Sequence, residues 1–402
     1  MPNTIVIIGA GQAGGWAAAT LRSEGFEGRI VLIGDEPHPP HERPPLSKKV
    51  LAGEATAAST HLMPAEEFAA LDVDLRTPIR ASAIDRVNKQ VTLEDGEKIT
   101  YDRLILTTGG RARTLPVPGA DLPGALTLRT LADAEALGER LTQGRRIIVI
   151  GGGWIGLEVA ATARAAGCEV VVLEAQDRLC QRAVPAELSE FLHHLHSEHG
   201  VEIRMGVSVE GIHGSGEALE VDLGGERLRA DTVVIGVGLE PNGELAEAAG
   251  LTCDRGVVVA DDTTTDDPYI FAAGDVTVSP NTWAGGPTRL ESWQNAQDQG
   301  IAAAKAALGS PVKHDPLPYF WSDQYNVTVQ IHGVPHPHHE KVIRGDLASN
   351  SFVIFFLDGD HVRAAMGANS PKEIRIAKRI IERGIVVDRA VLADPGTPLP
   401  RK

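Results

Sequence analysis

Ile5-Val6-Ile7-Ile8-Gly9-Ala10-Gly11-Gln12-Ala13-Gly14 and Ile147-Ile148-Val149-Ile150-Gly151-Gly152-Gly153-Trp154-Ile155-Gly156 are two copies of one local plan. Each is an apolar, β-branched run, then a Gly-x-Gly-x-x-Gly turn, then the start of a helix. In such a turn the first glycine (Gly9, Gly151) permits the sharp bend and the second (Gly11, Gly153) lets a pyrophosphate approach the backbone. The third (Gly14, Gly156) packs helix against strand. Gln12 and Ala13 in the first copy, and Trp154 and Ile155 in the second, open the helix whose N-terminal amides would hold phosphate. One such match is weak evidence. Here each is followed by a second strand ending in an acid: Arg29 to Ile33 then Asp35 and Glu36, and Glu169 to Leu173 then Glu174. A carboxylate there accepts hydrogen bonds from the hydroxyls of an adenosine ribose, and Glu174 would repel a 2′-phosphate. The expectation is two dinucleotides, with NADH preferred over NADPH in the second fold. Arg178 and Arg182 lie downstream as the cations that could oppose that preference.

Later features repeat as well. Tyr101-Asp102-Arg103-Leu104-Ile105-Leu106-Thr107-Thr108-Gly109 answers to Ala230-Asp231-Thr232-Val233-Val234-Ile235-Gly236-Val237-Gly238. A third glycine-acid element, Ile270-Phe271-Ala272-Ala273-Gly274-Asp275, follows the second copy and is expected to return to the first fold. The fold class is therefore α/β with two Rossmann-like domains, the second inserted in the first, plus a C-terminal α+β domain. The expected boundaries are 1–110 with 238–315, 111–237, and 316–402. Alternation in Asn326 to Ile331 and Ser351 to Leu357 predicts antiparallel strands, and a helix is expected from Lys372 to Arg383.

The net charge of −16 argues against a nucleic-acid surface or an anionic membrane face. With three cysteines, Cys168, Cys180 and Cys253, far apart, neither a disulfide framework nor a cysteine metal site is expected. No stretch reads as a signal peptide or a membrane span, which leads to the expectation of a soluble cytoplasmic protein. Histidines crowd at 193, 194, 196 and 199 and again at 336, 338 and 339, without a recognised ligand spacing. They read as solvated side chains, and no metal is expected.

The set His41-Glu42-Arg43-Pro44-Pro45-Leu46-Ser47-Lys48, Gly238-Leu239-Glu240-Pro241-Asn242, Ala272-Ala273-Gly274-Asp275-Val276 and Glu291-Ser292-Trp293-Gln294-Asn295-Ala296 resembles the oxygenase-coupled NADH-dependent ferredoxin reductases. These are putidaredoxin reductase-like flavoproteins of the glutathione reductase type, and the resemblance covers nearly the whole chain. It implies FAD in the first domain, NADH in the second and a [2Fe-2S] ferredoxin that passes electrons to an oxygenase, as in aromatic hydrocarbon catabolism. It places Arg43 and Lys48 beside the flavin, Ala81 against adenine, Arg129 near the flavin, Asp275 on the ribitol chain and Trp293 at the start of a helix aimed at the isoalloxazine. Gly238 belongs to the turn after the second fold. Glu158, read as lying in the first turn of the second fingerprint helix, is paired by the resemblance with Lys48, and Glu291 is the second candidate carboxylate. All three are assigned orienting and electrostatic roles in moving hydride from NADH to flavin N5.

No cysteine precedes Cys168, so the cysteine pair through which disulfide reductases relay electrons is missing, and electrons must leave from the flavin. A rubredoxin reductase, a flavin NADH oxidase and a low-turnover NADH-sensing interaction protein remain alternatives. Trp321 fits either a place between flavin and surface or an aromatic cluster at a domain junction.

Overall fold

The computed structural model describes residues 2–216 and 218–400. The chain forms two compact units: one from the N-terminus to Arg43, Ala58–Arg111 and Glu240–Phe320, the other from Pro44–Ala57, Ala112–Leu239 and Trp321 onward.

In the first unit five parallel strands lie in the order Ile270–Ala272, Arg103–Leu106, Thr4–Ile8, Arg29–Ile33, Val73–Arg76. Their uninterrupted apolar runs follow from burial on both faces of a parallel sheet. One face packs on Tyr101, Leu93 and Ile99, which come with an antiparallel meander of Ala81–Asp85, Gln90–Leu93 and Lys98–Thr100. The other packs on the helices Gln12–Ser23 and Trp293–Ala307, both rich in alanine. Those two helices approach so closely that a Cβ on Gly300 would lie 2.4 Å from the Ala13 carbonyl oxygen, so only glycine fits there. The glycine-acid element at 270–275 thus returns to the first sheet, as its motif predicts.

The second unit repeats the plan. Its parallel sheet runs Glu202–Met205, Glu169–Glu174, Arg146–Ile150, Thr232–Ile235, Ala125–Leu126, with a meander of Gly211–Ser215, Ala218–Asp222 and Arg227–Ala230 on one face. The segment 44–57 packs here through Leu46 and Val50 against Leu131 and Ala134. A further five-stranded sheet has the order Tyr319–Gln324, Val327–His332, His361–Ala368, Ser351–Asp358, Glu340–Asp346. The helix Pro371–Arg383 follows it, with Ile374, Ala377, Ile380 and Ile381 buried and Arg375, Lys378, Arg379 and Arg383 exposed. Val327–His332 and Ser351–Asp358 bear out the two strands read from alternation. No helix among the described residues is long and apolar enough to cross a membrane.

Candidate functional site

The first fingerprint turn joins Thr4–Ile8 to the helix Gln12–Ser23. Gly9 has φ +116°, and a Cβ there would lie 2.1 Å from the Thr107 carbonyl oxygen. A Cβ on Gly14 would lie 1.9 Å from the Gly9 carbonyl oxygen, whereas one on Gly11 would meet nothing within 4 Å. The protein's own packing demands two of the glycines. The third, Gly11, guards open space. Beside it the Gln12 side chain is buried with neither amide atom hydrogen-bonded among the described residues. Buried amides are ordinarily satisfied, so open backbone and an orphaned amide together fit a dinucleotide.

Asp35 at the end of the second strand pairs with Arg80 at 2.9 Å, and Glu36 pairs with Arg43 at 2.8 Å and lies 3.5 Å from His41. Asp275, half-buried, follows Gly274, whose amide donates to Gln299 Oε1 at 2.8 Å. The same oxygen accepts from Thr277 Oγ1 at 2.8 Å, so the turn presenting Asp275 is clamped by the closing helix. Trp293 begins that helix, with Ser292 as its N-cap accepting from the Asn295 amide at 3.3 Å. Ala81 opens the meander at a register shift. Glu291 is exposed and pairs with Arg289 at 2.7 Å.

In the second unit the geometry recurs. Gly151 has φ +110° and its Cβ would lie 2.5 Å from the Gly236 carbonyl oxygen; one on Gly156 would lie 2.1 Å from the Gly151 carbonyl oxygen; one on Gly153 would meet nothing within 4 Å. Trp154, half-buried, and Ile155, 46% exposed, start the helix Trp154–Ala165. Glu174 accepts from the amides of Gly152 at 2.7 Å and Gln176 at 2.8 Å, and makes no ion pair among the described residues. Arg178 is committed to its own loop, donating to the Val184 carbonyl at 2.7 Å, Ser189 Oγ at 2.8 Å and the Gln181 carbonyl at 3.1 Å. Of the two cations that could greet a 2′-phosphate, only Arg182 is exposed. Gly238 has φ +119°, and the Arg129 amide donates to Asp133 at 2.8 Å just ahead of the helix Leu131–Gly138.

The same unit brings Lys48 and Glu158 together, Nζ to Oε2 at 2.6 Å, as the resemblance implies. Glu158 is buried and accepts two further bonds, from Ser47 and, at 2.6 Å, from Ser322 Oγ. Lys48 Nζ also lies 3.2 Å from the Pro44 carbonyl, and its side chain stays 20% exposed, so the ammonium is held in place without being sealed off. One expectation needs correcting. The helix begins at Trp154, with no acid in its first turn, so Glu158 is its fifth residue and lies beyond the 3.6-residue first turn. Complementing the helix dipole does not explain it, since that effect fades within the first turn.

Burial pushes the Cys180 thiol up to about 12, with the Glu174 and Glu158 charges adding to the effect. Burial also raises Cys168 and Cys253. No described cysteine is set up as the thiolate that a redox or nucleophilic role requires.

The model for the pyridine nucleotide-disulphide oxidoreductases matches residues 3–300, and a reductase C-terminal model matches 319–401. The chain belongs to the pyridine nucleotide-disulphide oxidoreductase family. Among members of this family, putidaredoxin reductase CamA of Pseudomonas putida is 41% identical, with 99% of this chain and 96% of the relative covered. The ferredoxin–NAD(+) reductase component of the anthranilate 1,2-dioxygenase system of Burkholderia cepacia is also 41% identical, covering 98% and 97%. The reductase in the crystal structure of the covalent putidaredoxin reductase–putidaredoxin complex superimposes with a TM-score of 0.94 over 98% of this chain and 97% of that one, at 41% identity.

Sequence reasoning missed Ser322 and Gln324. Their signal was present: both sit on the buried face of an alternating strand where apolar residues are ordinarily found. The histidines also need correcting, since His196 is fully buried, bonded to Gln324 Oε1 at 2.8 Å, with Tyr325 Oη 3.2 Å from its other nitrogen. Its helix turns that side inward. His194 is exposed, 3.1 Å from Glu198.

Proposed function

We propose that this chain is an FAD-dependent NADH:ferredoxin oxidoreductase, passing single electrons to a [2Fe-2S] ferredoxin that feeds an oxygenase. The observation that carries the reading is the pair of dinucleotide cradles, each with one glycine that only a ligand requires, in a chain with no reactive thiol. Bound FAD would supply hydride acceptance and stepwise one-electron release, the conversion that a ferredoxin needs.

The chain's own residues bind and orient. Gln12, Gly11 and Ala13 would hold the FAD pyrophosphate, Asp35 or Glu36 its adenosine ribose, Ala81 its adenine and Asp275 its ribitol. Arg43 and Arg129 are assigned to the flavin, and Trp293 starts a helix whose N-terminal amides would favour negative charge on a reduced ring. Gly153, Trp154, Ile155 and Glu174 would hold NADH. Lys48, fixed by Glu158, would present its ammonium charge, with Glu291 as a second carboxylate. A three-domain division at 1–110 with 238–315, 111–237 and 316–402, and a cytoplasmic setting, belong to the same proposal; free cysteines at 168, 180 and 253 support the setting.

The test is spectroscopic and then kinetic. The purified protein is expected to be yellow and to bleach anaerobically with NADH, and turnover should rise on adding a [2Fe-2S] ferredoxin. A colourless protein without FAD affinity would end the reading; equal turnover with oxygen alone would favour the NADH oxidase.

A further inference from the structure

Glu158 is the terminus of a buried chain of hydrogen bonds whose direction the geometry fixes. Gln324 Nε2 lies 3.0 Å from Ser322 Oγ, and Ser322 Oγ lies 2.6 Å from Glu158 Oε1. A carboxylate only accepts, so the Ser322 hydroxyl donates to Glu158 and accepts from the Gln324 amide nitrogen. Gln324 Oε1 is thereby turned to His196 Nε2, 2.8 Å away, which must carry the proton. His196 Nδ1 is left to accept from Tyr325 Oη at 3.2 Å. Burial lowers the His196 pKa to about 4, against the Gln324 bond, so the ring is neutral near pH 7 and holds that one tautomer. The Tyr325 ring stacks on His199 at 3.6 Å, and its backbone sits at φ 55°, a conformation that few non-glycine residues adopt. Serine, glutamine and histidine here are all fully or nearly fully buried, which is costly unless each bond is made.

We infer that Ser322, Gln324, His196 and Tyr325 form a one-way positioning chain that orients the Glu158 carboxylate, and through it the Lys48 ammonium, for hydride transfer. The inference rests on the role proposed above for Glu158 and Lys48. Ser322 and its neighbours touch no reacting atom; they act through Glu158.

Anaerobic stopped-flow reduction of the holoenzyme by NADH tests it, together with ¹⁵N NMR of the His196 ring. Ser322→Ala should slow the limiting reduction rate about tenfold with the apparent NADH Kd unchanged, and Ser322→Cys, which keeps a weak donor, should fall between. Tyr325→Phe, which retains the ring on His199, should cost about twofold to threefold and should shift the ¹⁵N signal of Nδ1, which loses its donor, while the Nε2–H tautomer held by Gln324 Oε1 persists. Should Ser322→Ala not fold, Tyr325→Phe carries the test alone. Glu158→Gln separates the two readings. If it slows reduction while Ser322→Ala and Tyr325→Phe do not, the positioning chain is overturned and the role of Glu158 stands. If it has no effect, that role fails and the inference falls with it. A wild-type His196 that titrates near pH 6.5 or carries its proton on Nδ1 overturns the chain without reference to activity.

Discussion

The two glycine cradles are built alike and finished differently. In both, the first and third glycines are locked by the protein's own carbonyls while the middle one faces open space. The acids differ. Asp35 and Glu36 of the first cradle are tied to Arg80 and Arg43, and Gln12 adds a buried amide awaiting a partner. Among the described residues, Glu174 of the second takes two backbone amides and no cation. Cation-braced acids and an orphaned amide suit a resident cofactor, whose loss would leave polar groups unsatisfied. A carboxylate resting on backbone amides suits a substrate that arrives and leaves.

Four measurements bear on that contrast. The largest effect is expected at the open glycines. Gly11→Ala should leave apoprotein stability within about 0.5 kcal/mol, since its Cβ meets no protein atom, but lower FAD retention about tenfold or more. Gly153→Ala should do the same to the NADH Kd and spare FAD. Equal loss of both ligands in either variant would show that the cradles are not separate sites.

Next is coenzyme choice. Glu174→Gln should raise the NADPH to NADH ratio of kcat/KM about tenfold, one charged hydrogen bond's worth, with FAD content unchanged. A wild type that already prefers NADPH would refute the assignment of Glu174 to an unphosphorylated ribose.

Acid stability bears on what the two units share. Burial lowers His196 and His332 in the second unit, and His314 in the first, to about 4 from 6.5. Each is neutral when folded and protonated when unfolded between those values, so its contribution is complete above pH 6.5 and is lost as pH falls toward 4. The slope is about 1.4 kcal/mol per pH unit for each histidine. Burial also lowers His41 and His61 in the first unit and His339 in the second, so hydrogen exchange between pH 7 and 4.5 should show both units losing protection.

The smallest effect concerns the exposed basic face of the helix Pro371–Arg383. Reversing Arg379 and Arg383 to glutamate should lower ferredoxin kcat/KM about threefold at low salt. Flavin reduction by NADH should stay the same, and the difference should vanish near 1 M salt, where screening acts over about 3 Å. Loss of both half-reactions would make the helix structural.

Much of this was legible in the residues because parallel, doubly buried strands and glycine turns leave strong local patterns. Ile5 to Gly14 and Ile147 to Gly156 carry their fold in adjacent positions. The return of Ile270–Ala272 to the first sheet was legible too, through its Gly-Asp turn. The three-stranded meanders were missed, being short strands with half-exposed faces such as Ala81–Asp85, which alternate weakly. The Glu158 network was missed for a different reason. Ser47, Ser322 and His196 are far apart in sequence and meet only through packing, so alternation could mark Ser322 as inward-facing but no spacing ties it to Glu158. The solvated reading of the histidines failed at His196 and at His339, both buried, because composition cannot say which side chains turn inward.

The order of strands in the first sheet has a consequence for how the protein is made. Arg103–Leu106 cannot gain its outer neighbour, Ile270–Ala272, until two-thirds of the chain has been synthesised, nor the sheet its second covering helix, Trp293–Ala307, until three-quarters has. The second parallel sheet draws all its strands from 125–235 and is complete while the first still lacks an edge strand and one of the two helices on a face. Domains emerging from a ribosome fold as their residues become available. The fold in the middle of the chain therefore matures before its host, and a nascent chain halted before Trp293 would carry the second glycine cradle on a complete sheet while the first still lacked its closing helix.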